Sequence, residues 1–219
     1  MLEILSQQSP FFNPEAPVLC RKPSADQAPE CPGLRRVHWQ FNDRTFISTF
    51  YTGMDQAVFL WGVLCLVMFG VAQFAAIDWR VQAAFWSILT MIGTIAMIQL
   101  ADFYLRVELL RQAADSWIAL MLLGLAITDL GVFCGWAIVL INLCPLWLGL
   151  SAIAYLFCGM RLRSRAFCVS GIIHLAAIFT LPYISSWQFL ATGLILGLNS
   201  IVLAEWQWDS HGACATHPD

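Results

Sequence analysis

Two ionisable residues stand in apolar stretches of this sequence, and they have the clearest potential for chemistry. Asp129 is the single charged residue between Trp117 and Met160, and His174 lies in the apolar stretch that follows. An ionisable side chain inside a membrane is costly and is by default a functional hypothesis. An aspartate beside a histidine raises the basicity of the imidazole, so the pair can relay a proton or bind a cation. Asn199, in the last apolar stretch, would complete this candidate intramembrane site.

The same residues have a simpler interpretation, which we favour over the relay. Asp129 and His174 can each hydrogen-bond to a neighbouring helix and fix its packing without meeting one another. Both interpretations need Asp129 at the bilayer midplane, and a turn near residues 129–131 would instead place it at an interface.

Two glycine pairs have the G-x-x-x-G spacing, which lets two helix backbones approach closely. They are Gly131 with Gly135 and Gly193 with Gly197. We expect contacts within the bundle more than dimerisation, since glycine is common in membrane helices.

The C-terminal tail carries His211, Cys214 and His217, which are weak candidates for a metal site. Zinc sites rely on paired, closely spaced ligands in a structured loop, which this tail does not have. Most of the eight cysteines lie in apolar stretches without a C-x-x-C motif, and we interpret them as small membrane-compatible residues. We therefore predict no metal and no other cofactor.

Several motifs of catalysis are absent from the sequence, and we predict no catalytic residue. It contains no H-E-x-x-H, no G-x-S-x-G and no nucleotide loop, which argues against direct use of a nucleotide. The sole lysine, Lys22, precedes the apolar stretches, which excludes a retinal Schiff base within them. A net charge of −3 argues against nucleic-acid binding.

The elements that must position these residues are membrane helices. The chain is 59% hydrophobic and 11% charged, against about 25% charged in soluble domains. Its apolar stretches approach the ~20 residues that a bilayer-spanning helix requires. We predict an all-α, polytopic membrane protein, a six-helix transmembrane bundle with spans of about 57–77, 82–104, 117–141, 145–160, 166–182 and 187–204.

The stretch from 117 to 160 is about twice the length of one crossing, so the chain must turn within it. Proline at position 145 favours a turn at Asn142–Pro145, and a turn several residues earlier is the alternative. Around the bundle (57–205) we predict a flexible Pro-rich tail (1–33), a juxtamembrane interfacial segment (34–56) and a polar C-terminal tail (206–219).

The basic residues orient this six-span arrangement. Arg80 falls on one side and the other ten Lys and Arg residues fall on the other. By the positive-inside rule, the N- and C-termini are then cytoplasmic, and a five-span arrangement would lose the asymmetry. The first 17 residues have neither a basic region nor a small-residue cleavage site, and we expect the N-terminus to stay on the side where it is made. We predict a multi-pass protein of a bacterial cytoplasmic or internal membrane.

Three functions are compatible with this architecture. We favour a protein–protein interaction or assembly component of a larger membrane complex, whose partners are the lipid bilayer and other membrane-protein subunits or a second copy of itself. The alternative is a small-solute or proton-coupled carrier or channel subunit that uses Asp129 and His174. The third is a membrane-embedded enzyme, with its chemistry on Asp102, Glu108, Asp115 and His211.

Overall fold

The computed structural model describes residues 17–22, 34–41, 44–106 and 108–209, and this part of the chain is mostly helical. Two short 3-10 helices, Tyr104–Arg106 and Leu181–Trp187, interrupt the α-helices. The α-helices are α1 (Gly53–Phe74), α2 (Trp79–Ala101), α3 (Glu108–Phe133), α4 (Ala137–Ile141), α5 (Leu143–Leu162), α6 (Arg165–Thr180) and α7 (Gln188–Glu205).

Within the described residues, five helical stretches are long and apolar enough to cross a membrane. Four of them are α1, α2, α5 and the part of α3 from Leu110 onward. The fifth is Arg165–Glu205, whose 41 residues include α6, a 3-10 helix and α7. The chain is thus an integral membrane protein with a helical bundle, which confirms the predicted class.

The first helix begins earlier than hydropathy predicts because a capping box defines its start. The Thr52 hydroxyl accepts from the Asp55 backbone N–H at 3.1 Å, and the Asp55 carboxylate accepts from the Thr52 N–H at 2.8 Å. Two backbone donors that the helix cannot pair are satisfied in this way. Polar Asp55 therefore lies in the first turn of α1, outside the predicted span.

The turn after α3 differs from the predicted one. The helix ends at Phe133, before the predicted limit at residue 141. Gly135 follows it with φ of 66°, and the Trp136 N–H donates to the Gly131 carbonyl at 2.8 Å. A left-handed glycine with this hydrogen bond is a common helix C-terminus, since glycine has no Cβ to clash. The turn therefore lies several residues before Asn142, as in the alternative.

Helices α6 and α7 run antiparallel, since Asp209 after α7 caps the start of α6. Its carboxylate accepts from the Ser164 hydroxyl at 2.7 Å and from the Arg165 N–H and Nε at 2.9 and 2.8 Å. The chain reverses in the 3-10 helix, where Ile184 has non-helical angles. Burial alone would raise the pKa of Asp209, but these hydrogen bonds together lower it below its ordinary value.

Helices α1 and α7 approach each other closely along their backbones. A Cβ on Gly62 would lie 2.8 Å from the Gly197 carbonyl oxygen, and one on Gly197 would lie 2.9 Å from the Gly62 oxygen. A Cβ on Gly193 would lie 2.6 Å from the Phe69 Cβ. Gly193 and Gly197 therefore serve a contact inside the chain, whereas Gly135 belongs to a turn.

Two small antiparallel sheets complete the described structure. Strand β1 (Leu19–Arg21) pairs with β4 (Trp206–Trp208), and β2 (Arg35–Phe41) pairs with β3 (Arg44–Tyr51). The tail that the sequence predicts to be flexible thus contains a strand. Because β4 follows α7, β1 lies at the end of the bundle where α1 begins and α7 ends. We call this the terminal end.

Candidate functional site

Asp129 connects α3 with α2. One oxygen of its carboxylate accepts from the Ser87 hydroxyl at 2.8 Å, and the other is buried without a hydrogen-bond partner among the described residues. The adjacent Thr128 accepts from the indole of Trp147 on α5 at 3.2 Å. Asp129 therefore lies at the depth of Trp147, in the half of the bundle away from the terminal end.

His174 is fully buried in α6. Its Nδ1 lies 2.7 Å from the Ser170 carbonyl oxygen, which can only accept, so Nδ1 carries the proton. In the neutral ring, Nε2 is then an acceptor, and it has no partner among the described residues. The imidazole packs against the Tyr155 ring with a centroid distance of 4.9 Å.

Tyr155 also joins α5 to α7. The Ser200 hydroxyl donates its proton to the Leu196 carbonyl at 2.8 Å, so the Tyr155 hydroxyl is the donor to Ser200 at 2.9 Å. Asn199 lies beside the same hydroxyl, although its amide nitrogen has no partner in the described structure. We call Tyr155, His174, Asn199 and Ser200 the polar cluster.

The structure brings two of the three predicted site residues together and leaves the third apart. His174 and Asn199 both border Tyr155, whereas Asp129 bonds to Ser87. Tyr155 is eight residues further along α5 than Trp147, or about 12 Å at ~1.5 Å per residue. Asp129 and His174 therefore form no direct pair, and each makes a hydrogen bond of its own.

An apolar cavity of about 120 Å³ lies in the terminal half of the bundle, beside the polar cluster. Its wall is formed by side chains of α1, α2, α3, α5, α6, α7 and β4. Tyr155 and Ser200 contribute to the wall, but their hydroxyl protons are directed to Ser200 and Leu196. Most of the surface is hydrocarbon or aromatic, and includes Trp61, Met97, Ile98, Trp117, Met121, Cys158, Phe167 and Trp208.

A buried lysine, Lys22, holds the segment that follows strand β1 against the terminal end of the bundle. The Lys22 ammonium lies 2.6 Å from the Asp55 carboxylate and donates to the Ala204 carbonyl at 2.6 Å. The side chains of Lys22 and Asp55 are 6% and 7% exposed. Nearby, the Tyr51 hydroxyl donates to Glu205 at 2.7 Å, and burial together with this bond raises the pKa of Tyr51 to about 12. We call the contacts of Lys22 the Lys22 clasp.

Sequence reasoning missed Tyr155, Ser200 and the Lys22 clasp. A tyrosine or serine hydroxyl in a span costs little compared with a charge, so hydropathy does not mark it. Lys22 did carry a signal, because it is the sole lysine and Asp55 stands just before an apolar stretch. Only the fold shows that these two residues are neighbours.

The described residues contain no group of three or more His, Cys, Asp or Glu side chains that could hold a metal ion. The weak metal candidates His211, Cys214 and His217 lie outside the described residues. Comparisons with protein-family models, with curated proteins and with solved structures find no match to this chain.

Proposed function

We propose that the chain crosses the membrane six times with both termini in the cytoplasm. The Asp209 cap supports the reversal of Arg165–Glu205, because it joins the residues before α6 to those after α7. The described basic residues other than Arg80 lie in segments at the terminal end, whereas Arg80 begins α2 at the other end. The positive-inside rule then places the terminal end in the cytoplasm.

Cysteine labelling in a cysteine-free background tests this topology. Ser185→Cys lies in the reversal between α6 and α7, and Asp102→Cys follows α2 at the terminal end; both positions are exposed. The variants are expressed in bacterial cells and treated with a membrane-impermeant maleimide. We expect Ser185→Cys to be labelled once the outer membrane is permeabilised, and Asp102→Cys to be labelled only after the inner membrane is also permeabilised. A single long crossing by Arg165–Glu205 would leave Ser185→Cys in lipid, unlabelled from either side.

We further propose that the protein binds a small apolar guest inside the bundle, a function closer to the solute-handling hypothesis than to the assembly hypothesis. The observation that supports this is the apolar cavity of about 120 Å³. An engineered apolar cavity of about 150 Å³ stays dry and binds benzene or xenon. A guest with one ring or a few methylenes therefore matches the cavity in size and polarity.

The energetics of packing favour an occupied cavity. Empty cavities in protein cores cost about 24 cal/mol per Å³, so 120 Å³ corresponds to about 3 kcal/mol. A guest that restores the lost dispersion contacts recovers part of this free energy. Of the polar groups in the wall, the Tyr155 and Ser200 hydroxyls donate to other groups, and the Trp117 indole N–H has no partner among the described residues. The aryl face of a guest with one ring can accept this single N–H weakly.

The assembly function stays a prediction. The contact of Gly193 and Gly197 with α1 engages one glycine pair within the chain, and Gly135 is in a turn, so these residues give no specific support to a partner helix. The proton-coupled carrier and the membrane-embedded enzyme also stay predictions.

Photolabelling tests the guest. The protein in liposomes is irradiated with a benzene-sized aryl diazirine, and labelled peptides are mapped by mass spectrometry. We expect label on cavity residues such as Trp61 and Met121, with competition by benzene. Ala114→Leu should lower this labelling at least fivefold because Ala114 lines the cavity. Ala119→Leu, on the exposed face of the same helix, should leave it unchanged.

Label confined to lipid-facing side chains, or equal labelling in the two variants, would contradict the proposal. Thr94→Leu fills the cavity from α2, and keeps the test decisive if Ala114→Leu does not fold.

A further inference from the structure

The cavity has an edge on the lipid-facing side of the bundle. Ile88, Ile92 and Ile95 form an exposed stripe on α2, and Ile98 continues the stripe at helical spacing. Ile98 is 41% exposed and also lines the cavity. Across from it, Ala114 of α3 is half-buried and lines the same cavity. The cavity therefore reaches the membrane-facing surface between α2 and α3.

The connection from α2 to α3 carries charges of both signs next to this edge. Arg106 lies 3.5 Å from Asp102, and Arg111 lies 2.8 Å from Glu108, with all four side chains more than half exposed. Such surface pairs are weak, at about 0–1 kcal/mol. Leu105, on this connection, lines the cavity. The ionic groups thus stand at headgroup level directly beside an apolar opening.

We infer that the guest is the hydrocarbon chain of a zwitterionic phospholipid, which enters laterally between α2 and α3 while its headgroup stays at the α2–α3 connection. This inference rests on the proposed binding of an apolar guest in the cavity. The phosphate would meet Arg106 or Arg111, and the amine would meet Asp102 or Glu108, in exchange for weak surface pairs.

The volume limits how much of the lipid is bound. A cavity close in size to one that holds benzene takes a few methylenes and not a whole chain. A methylene that enters the cavity moves from one apolar medium to another. The free energy gained relative to bulk lipid therefore comes from packing and not from the hydrophobic effect. Exchange with the bilayer is therefore expected to be fast, which makes covalent capture the suitable measurement.

The experiment uses phosphatidylcholine with a diazirine on one acyl chain, incorporated into liposomes with the full-length protein. We expect crosslinks to the inner wall, at Trp61 or Met121, in addition to the lipid-facing Ile92. Ala114→Leu should lower the inner-wall crosslinks at least threefold and leave those at Ile92 unchanged. Ala119→Leu should change neither.

Two further arms separate the outcomes. A phosphatidylglycerol carrying the same chain should give no more inner-wall crosslinking than phosphatidylcholine. A clear excess with phosphatidylglycerol would contradict the inference that the headgroup is zwitterionic. If the free aryl diazirine labels the inner wall but the lipid chain reaches only Ile92, the lipid inference is wrong while the proposed apolar cavity site stands. If the aryl probe also fails, the proposed function is wrong.

Discussion

Removal of Lys22 should destabilise the protein far more than removal of an exposed charge. In the Lys22 clasp, two opposite charges lie 2.6 Å apart with side chains 6% and 7% exposed. At that distance they attract by about 6 kcal/mol for an effective dielectric constant of about 20, and the loss of hydration offsets much of this. Lys22→Met leaves the Asp55 carboxylate buried without its cation.

The expected loss in unfolding free energy is about 3–5 kcal/mol, the usual result of breaking a buried pair from one side. The measurement is an equilibrium unfolding titration with sodium dodecyl sulfate in mixed micelles, followed by circular dichroism. Glu108→Gln is the control, because it breaks a pair of similar length whose side chains are 57% and 61% exposed. Its effect should stay below about 1 kcal/mol.

A double-mutant cycle separates the charge interaction from lost packing. Asp55→Asn keeps a carbonyl oxygen that can accept from the Thr52 N–H, so the α1 cap is largely retained. The double variant Lys22→Met/Asp55→Asn should be more stable than the sum of the single effects by about 2–3 kcal/mol. Additive single effects, or a Lys22→Met variant no less stable than Glu108→Gln, would refute the buried pair as the source of stability.

Three other substitutions, with Gly70→Ala as a control, test the packing and the polar contacts by the same unfolding titration. Gly197→Ala should lower the unfolding free energy by about 1–3 kcal/mol, because the added methyl group forces α1 away from α7. Gly70→Ala, which has open space around its Cβ, should raise the unfolding free energy by up to about 1 kcal/mol. Equal effects of the two substitutions would contradict the close contact. Asp209→Asn should lower the unfolding free energy by about 1–3 kcal/mol at pH 7. The folded pKa of Asp209 is lowered, so its contribution to stability is fully present above the unfolded pKa of about 3.9 and is lost as pH falls through the folded pKa. The difference in stability between Asp209→Asn and the parent protein should therefore shrink as pH falls below about 3.9. Asp129→Asn retains an acceptor for Ser87 and removes the charge of a carboxylate that has one unpartnered oxygen, so the unfolding free energy should be unchanged or higher. A loss above about 1 kcal/mol would contradict this expectation.

The positions of the membrane helices were largely predictable, because hydropathy reports directly on the lipid environment of a side chain. The ends of these helices were not predictable from hydropathy, because capping interactions determine them. Thr52 and Asp55 extend α1 into a polar stretch, and Gly135 ends α3 inside an apolar one. Both devices are local and have sequence signatures, so a search for capping boxes and C-terminal glycines would have placed these two boundaries.

The contacts between distant segments were not predictable from a single sequence. Strand β1 pairs with β4 although all of the helices lie between them in the sequence, and Lys22 meets Asp55 and Ala204 because α7 returns the chain to the terminal end. A three-residue strand has too little periodicity to be recognised. The polar cluster was half predicted, since His174 and Asn199 stand out by type, whereas Tyr155 joins them by position alone.

The two halves of the bundle differ in a way that bears on transport. The terminal half holds the cavity, whereas the other half is closed by aromatic side chains that pack on one another: Phe69 lies 5.0 Å from Trp86, and Trp86 lies 6.3 Å from Trp147. A guest that moves from the cavity toward the other half meets this layer at the depth of Asp129. Because packed cores resist small displacements, passage across the membrane would require these three rings to move together. Binding in the cavity therefore does not by itself imply transport, and a lateral exchange with the lipid of one leaflet needs no such rearrangement.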